Sequence, residues 1–380
     1  MGHRVLMLGA GYAGLTAARR LSTLLRHNDV EIVLVNDRTD FVERIRLHQL
    51  AAGQDLPRHE LADLLAGTGV RLHCARVESI DAEERTVVAD GEAIGYDTLV
   101  YALGSAGAPL PGAAEHGWSA ASPAGALRLR GRLGRAGQGE RVLVVGGGLT
   151  GLEIAAEIAE ARPELSVALA TSGGLGDWLA PAARRHLRRG FDRLGIEVRE
   201  GVRIERFGPG GAVADGALVP ADVSIAATGF APNPIAAGST LRLDDSGQVV
   251  VDAAMRSVSH PDVYAVGDAA WAMGPGGRPL RMSCSSGMPT GWIAAGEIAA
   301  RLTDRRPPRL RARYFHQTIS LGRRDAVVQF VTADDRPKRG CLTGRAAVRY
   351  KETLCRTAVW SFAHDLPAKP ARNGALHSAA

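Results

Sequence analysis

Two clusters of glycine carry the first chemical signal in this sequence. Gly9, Gly11 and Gly14 follow the apolar run Val5-Leu6-Met7-Leu8, and Gly146, Gly148 and Gly151 follow Val142-Leu143-Val144-Val145. Each cluster precedes a stretch of helical periodicity, residues 15–26 in one case and 152–161 in the other. In a GxGxxG turn between a buried strand and a helix, the first glycine makes the bend. The second lets the backbone approach a pyrophosphate, and the third lets helix and strand pack closely. The helix start then offers free N–H groups and a positive dipole end to the anion. One such turn alone is better read as a tight bend; two in the same context read as two dinucleotide sites.

Other reactive or polar residues gather around these turns. Asn36 and Asp37 end the apolar run 30–35, where an amide or a carboxylate reaches a ribose hydroxyl; Asn36 stands at the strand tip, with Asp37 as the alternative. The matching tip in the second half reads Ala170-Thr171-Ser172 and has no acid, which permits a 2′-phosphate. Two similar runs, 97–104 and 222–229, end in Gly104 and Gly229, and a third, Val263-Tyr264-Ala265-Val266, leads into Gly267-Asp268. Glu153 and Glu157 lie one helical turn apart, either as a wet acidic face or as groups turned toward a ligand. Residues 40–49 are dense in acid–base groups, and read either as a helix whose charged face is simply wet or as a place where Arg46 and His48 hold a substrate or move a proton near neutral pH.

The elements that must position these residues occur twice. Strand, glycine turn, helix and strand run from residue 5 to 35 and again from 141 to 170, an internal duplication of one nucleotide-binding plan. Between them, residues 70–74 and 86–89 read as pieces of a small antiparallel meander, and 105–140 as a connector with one helix. Beyond Arg309 come a strand at 327–332, an amphipathic helix at 346–362 and a tail at 367–380. A length of 380 residues suits two or three domains. With 46% hydrophobic and 23% charged residues, wholesale disorder is excluded. The net charge of +6 comes from scattered side chains, all arginine except Lys338, Lys351 and Lys369, and no basic stripe interleaves with aromatics, so nucleic acid is not an expected partner. Cys74, Cys284, Cys341 and Cys355 show neither CxxC nor metal-ligand spacing; no metal site is expected, and a reducing cytoplasm fits. A strand starting at Arg4 leaves no room for a signal peptide, and no apolar stretch reaches the ~18–20 residues that span a bilayer.

The paired glycine turns, Gly267-Asp268, and Ala227-Thr228-Gly229 with its looser copy Ala102-Leu103-Gly104 resemble the two-dinucleotide-binding-domain flavoproteins of the pyridine nucleotide–disulfide oxidoreductase superfamily, above all their type II NADH dehydrogenase-like branch. The resemblance covers about residues 1–305. It implies an α/β fold of two Rossmann-like domains, the NAD(P) domain inserted in the FAD domain, plus a C-terminal α+β region. The implied division is 1–110 and 231–308 for the FAD domain, 111–230 for the NAD(P) domain and 309–380 for the C-terminal region. FAD is then expected on Gly9, Gly11, Gly14, Asn36 or Asp37, Gly104, Gly267 and Asp268, with Asp268 at its ribityl or pyrophosphate part. NAD(P)H is expected on Gly146, Gly148, Gly151 and Gly229.

The same resemblance places residues 40–49, and so Arg46 and His48, over the flavin's face, Glu153 at the nicotinamide end and Cys284 beside the flavin ring. These four are the catalytic candidates, Cys284 either as a thiolate donor or as a buried inert thiol. Two departures stand out. Residues 38–60 lack the redox cysteine pair of the disulfide reductases, and residues 283–290 lack the glutamine of the quinone-reducing branch, which bears on whether a quinone is the acceptor. The implied activity takes hydride from NAD(P)H to FAD and passes electrons to a quinone-like or other small acceptor. The alternative is a biosynthetic flavin oxidase or dehydrogenase acting on a specialised metabolite. A non-catalytic nucleotide sensor is a third reading, opposed by the full set of flavin motifs. The expected partner is a small-molecule acceptor or substrate. Membrane contact is at most peripheral, because helix 346–362 reads first as core packing or a homodimer contact, and the expected location is cytoplasmic.

Overall fold

The computed structural model describes residues 2–307, 309–364 and 376; the tail expected at 367–380 lies, Leu376 apart, outside them. Strand β1 (His3–Leu8) buries Val5, Leu6, Met7 and Leu8 completely. That is why the run is apolar without alternation, since a parallel strand covered by helices has no wet face. The chain turns through Gly9 into helix α1 (Tyr12–Leu25) and returns as β2 (Val30–Asn36), parallel to β1 with Val5 opposite Ile32. A short helix α2 (Leu47–Ala51) follows, then β3 (Arg71–Cys74) at the outer edge of β2 and β4 (Thr98–Tyr101) on the far side of β1.

The chain then leaves this sheet. Helix α3 (Pro123–Gly134) leads to β5 (Arg141–Val145), helix α4 (Leu149–Ala161), β6 (Ser166–Thr171), helix α5 (Pro181–Arg193), β7 (Glu197–Glu200) and β8 (Val223–Ala226). These strands form a second parallel sheet in the order β7-β6-β5-β8. After it, β9 (Val263–Ala265) comes back to the first sheet beside β4 and completes the order β9-β4-β1-β2-β3. Departure and return run side by side as a two-stranded antiparallel ribbon, Ser105–Gly107 against Phe230–Pro232. The fold is therefore α/β with two Rossmann-like units, the second inserted in the first.

Helix α6 (Cys284–Leu302) packs on α1, where Gly287 and Gly291 let the two backbones meet at Ala13. Strands β10 (His316–Ser320), β11 (Ala326–Val331) and β12 (Pro337–Thr343) form an antiparallel sheet, and helix α7 (Gly344–Ala363) lies against it. This last region joins both cores: Phe362 is part of the first unit's core, and Ile319, Leu321 and Val327 are part of the second's. No helix of the described residues is long and apolar enough to cross a membrane.

The structure differs from the sequence reading at residues 71–74. They form the parallel edge strand β3, and the meander begins only at Val77. An edge strand is covered on fewer sides, so Arg71 and Cys74 are exposed and the apolar run that marks a parallel strand is missing.

A Cβ added to Gly14 would collide with the carbonyl oxygen of Gly9, whereas one on Gly11 meets nothing within 4 Å. Gly14→Ala is expected to lower stability by about 3 kcal/mol, at the upper end of overpacking costs, and Gly11→Ala by under about 0.5 kcal/mol. Thermal unfolding of the two variants checks this.

Candidate functional site

Helices α1 and α4 begin alike. Gly11 and Gly148 are their N-caps, no side chain caps either start, and neither first turn carries an acid. Space beside both glycines is open. Leading N–H groups without side-chain partners, at the carboxyl end of a parallel sheet, suit an anion such as a pyrophosphate.

The strand tips differ from one another. Asn36 Oδ1 accepts the Ala10 N–H at 2.9 Å and its Nδ2 donates to the Arg38 carbonyl at 2.9 Å. The oxygen end of the amide thus braces the glycine turn and the nitrogen end ties it to the chain after β2, at the strand tip where a ribose is expected. The neighbouring Asp37 is exposed. At the end of β6, Thr171 packs so closely on Gly147 that a Cβ there would strike its hydroxyl.

The Gly267-Asp268 turn is fixed from several sides. Gly267 has φ +67°, and its N–H donates to Thr290 Oγ1 at 2.9 Å. Gln248 Nε2 donates to the Asp268 carbonyl at 2.9 Å. Asp268 Oδ2 accepts from Ser105 Oγ at 2.6 Å and stands 4.0 Å from Arg44 Nη1. Arg44 also donates to the Ser105 carbonyl at 2.8 Å and lies 5.2 Å over the Phe230 ring. Its Nη2 is buried without a hydrogen-bond partner. A Cβ on Gly104 would stand 3.9 Å from Arg44 Nη1, whereas one on Gly229 meets nothing within 4 Å. Sequence reasoning missed Arg44. Its signal was its place in the charged stretch 40–49, but nothing there distinguished it from Arg46.

A second cluster joins all three regions. The turn before α2 supplies Arg46, whose Nε is 3.0 Å from Glu43 and whose Nη2 is 2.8 Å from Glu352 on α7. Helix α2 supplies His48, 4% exposed, with Nδ1 3.7 Å from Glu153 and Nε2 3.9 Å from Glu157. Both glutamates are buried, at 8% and 1% exposure, so the wet acidic face is not what α4 presents. Glu153 pairs with Lys351 and accepts the Ser320 N–H at 2.9 Å. Glu157 accepts from Gln54 at 2.8 Å and stands 3.3 Å from Arg323. Burial pulls His48 down to about 4, outweighing Glu153, so the ring is neutral at pH 7. Burial pushes Glu157 up to about 7. Burial also acts to raise Glu153, but Lys351, His48 and the Ser320 N–H outweigh it and hold that carboxyl below its usual value.

Aromatic side chains of the first core meet α7. Helix α7 turns Ala347, Lys351, Cys355 and Phe362 inward. Phe362 meets Phe41 with ring centres 5.1 Å apart, and Phe41 meets Tyr12 at 5.0 Å. The inner face of 346–362 is thus core packing, while Trp360 points outward and stacks on His364. Cys284, at the start of α6, has its thiol pushed up to about 11 by burial. The helix start does not overcome that, and the half-buried thiol is held toward its neutral form.

The family model for pyridine nucleotide-disulphide oxidoreductases matches residues 3–297. The chain belongs to this family. It is similar to the NADH dehydrogenase-like protein Rv1812c of Mycobacterium tuberculosis, with 30% identity over 352 residues, 85% of this chain and 87% of the relative. It is also similar to the probable ferredoxin reductase CtmF of Castellaniella defragrans, 30% identical over 89% of this chain and 84% of that protein. Among solved structures, the sulfide:quinone oxidoreductase of Aquifex aeolicus superposes with a TM-score of 0.80 at 20% identity, covering 95% of this chain and 92% of that one, a likeness of fold. FAD and NAD(P)H are the cofactors of this pyridine nucleotide-disulphide oxidoreductase, and the two open helix starts and the unpaired Nη2 of Arg44 fit their phosphates.

Because Glu157 titrates higher in the folded chain than its usual 4.5, its stabilising share is complete below about pH 4.5 and is lost as pH rises through about 7. His48 acts oppositely, its share complete above pH 6.5 and lost as pH falls toward 4. Glu157→Gln is expected to gain on the order of 2–3 kcal/mol relative to wild type between pH 5 and pH 8. Urea unfolding midpoints at the two pH values check the sign and size.

Proposed function

We propose that this chain is a cytoplasmic FAD-dependent NAD(P)H oxidoreductase whose electrons pass to a flat, quinone-like small acceptor. One observation carries the reading: two separate parallel sheets each end in an uncapped, glycine-walled helix start, and both open within one chain. When bound, the flavin supplies the redox chemistry, accepting a hydride equivalent from the nicotinamide and yielding electrons to the acceptor. The family match and the dehydrogenase-like and reductase relatives favour this over a metabolite oxidase.

The protein's own residues bind, orient and exclude water. Gly11 and the leading N–H groups of α1 hold the FAD pyrophosphate, Arg44 adds charge through its unpaired Nη2, Asp268 holds the ribityl side, and Asp37 takes the ribose. Gly148 and α4 do the same for NAD(P)H, and the tip of β6 itself, Ala170-Thr171-Ser172, carries no acid, which favours a 2′-phosphate, while Glu200 opposite Thr171 is tied to Arg188 and the Leu175 N–H. Tyr12, Phe41 and Phe362 pack on one another as core and hold α1 and α7 together at the junction; the quinone-like acceptor is supported by similarity to the demethylphylloquinone reductase NdbB of Synechocystis, 26% identical over 355 residues. Glu153 and Lys351 set the charge at the junction. The four free thiols support a reducing compartment.

Anaerobic mixing of the purified yellow protein with NADH and with NADPH tests the assignment. Bleaching of the flavin band by at least one of them, faster with NADPH, is expected; no bleaching by either overturns it. Arg44→Ala is expected to weaken FAD retention about tenfold to a hundredfold, the range for loss of a charged hydrogen bond. Flavin content after dialysis measures it.

A further inference from the structure

We infer that the second nucleotide unit holds a further ligand site, a polar cavity at the amino ends of β5 and β8 that takes a neutral polyhydroxyl compound of sugar size. The cavity measures about 480 Å³, within the ~300–1,000 Å³ of small-molecule sites. It lies outside the dinucleotide cleft. Glu140 lines it just before β5, whereas the glycine turn at Gly146 follows that strand's last residue, Val145. A strand rise of ~3.3 Å per residue separates the two ends by roughly 16 Å.

Several segments build the cavity. Helix α3 supplies Arg132, the residue before β5 supplies Glu140, and the start of β8 supplies Asp222 and Ser224. His116, exposed at the end of the short helical turn Ala113–His116, also lines it. Another wall is the glycine-rich turn 208–211, which is mostly bare backbone. Gly210 has φ +76° and Gly211 φ +152°, and a Cβ on Gly211 would stand 2.1 Å from the Val219 carbonyl oxygen. The hairpin closes only with glycine there.

Two observations point to an occupant. The first is Ser224. It is 3% exposed and lines the cavity, yet its hydroxyl has no hydrogen-bond partner among the described residues. Nor is that oxygen one of the fully sealed unpaired atoms, so it opens on the cavity. A buried hydroxyl without a partner is costly, and an alcohol group in the cavity supplies the missing bond. Asp222 adds a free acceptor. Its Oδ2 accepts the Arg141 N–H at 2.8 Å and the Arg141 Nε–H at 3.3 Å, while Oδ1 accepts no hydrogen bond among the described residues.

The second observation is the charge balance. Arg132 Nη2 donates to Glu140 Oε2 at 2.5 Å and to the Asp222 carbonyl at 3.3 Å, and Arg141 pairs with Asp222. Each carboxylate thus has its cation. Bonds from the Gly137 N–H and Arg132 on Glu140, and from the Arg141 N–H and side chain on Asp222, hold both carboxyls below their usual values. Both stay ionised, so an anionic ligand would face two carboxylates and a cationic one would face a guanidinium already in place. What remains on offer is mixed, with acceptor capacity on the carboxylates and groups that both donate and accept on Ser224 and His116. Alcohols are neutral and do both, and several on one small frame match such a set. Among the described residues no His, Cys, Asp and Glu group is arranged to hold a metal ion, so these side chains do not form a cation site.

Saturation-transfer NMR on the flavin-loaded protein, with glucose and myo-inositol as probes, tests the site. Transfer to the ring protons of at least one probe is expected. It is expected to persist at saturating NADP+, because the cavity lies a strand's length from the nucleotide turn. Ser224→Ala is expected to weaken binding about threefold to tenfold, the range for a neutral hydrogen bond, and Asp222→Asn about tenfold or more, the range for a charged one. Melting temperature and flavin content show that each variant is folded. n-Butylamine and inorganic phosphate serve as charged probes. No transfer to either polyol, loss of transfer on adding NADP+, or equal binding by wild type and Ser224→Ala overturns the site; tighter binding of either charged probe overturns the ligand class.

Discussion

A carboxylate taken out of water must be met by partners, and Glu153 is met from three directions. Lys351 and the Ser320 N–H come from the C-terminal region, His48 comes from the first nucleotide unit, and Glu153 itself belongs to the second. No one unit satisfies this charge alone. Breaking such a buried pair on one side typically costs about 3–5 kcal/mol, because the remaining charge is left uncompensated. The three regions are therefore held in one arrangement by electrostatic necessity, and the site at their junction inherits that arrangement. The aromatic contact of Tyr12, Phe41 and Phe362 closes the same junction with apolar surface.

The two nucleotide units share a backbone device and differ in what surrounds it. In each, the third glycine lies so close to the first that no Cβ fits between helix and turn. The first unit adds Asn36 as a brace and Arg44 as a half-buried cation. The second has Thr171 against Gly147 instead. A rigid, cation-backed cradle suits a cofactor that stays, and a barer one suits a cofactor that must leave each cycle.

Much of this was legible in the residues because backbone constraints leave strong traces. Only glycine fits at Gly14 and Gly151, and only an unbroken apolar run serves a strand covered on both faces, so the paired units and their order could be read directly. The edge strand at Arg71–Cys74 was not, because partial exposure removes its signature. Asn36 was read as a ribose ligand from its position at a strand tip; its second engagement, the bond that braces the turn at Ala10, left no trace in the sequence. The cluster around His48 was visible as a set of titratable types but not as a network, since Arg46 meets Glu352 across 306 positions of sequence. Lys351 gave no local sign at all of being the partner of Glu153.

The ribbon of Ser105–Gly107 against Phe230–Pro232 has a consequence for how the chain is made. The Ala108 N–H donates to the Gly229 carbonyl at 2.9 Å, so the inserted unit begins and ends at nearly one point. During synthesis the first sheet lacks β9 until residues 263–265 emerge, by which time the whole insert has left the ribosome. The insert can fold as a closed knot of its own, draw its two ends together, and so carry the late strand to the early ones across a gap of a few ångströms instead of more than a hundred residues of loose chain.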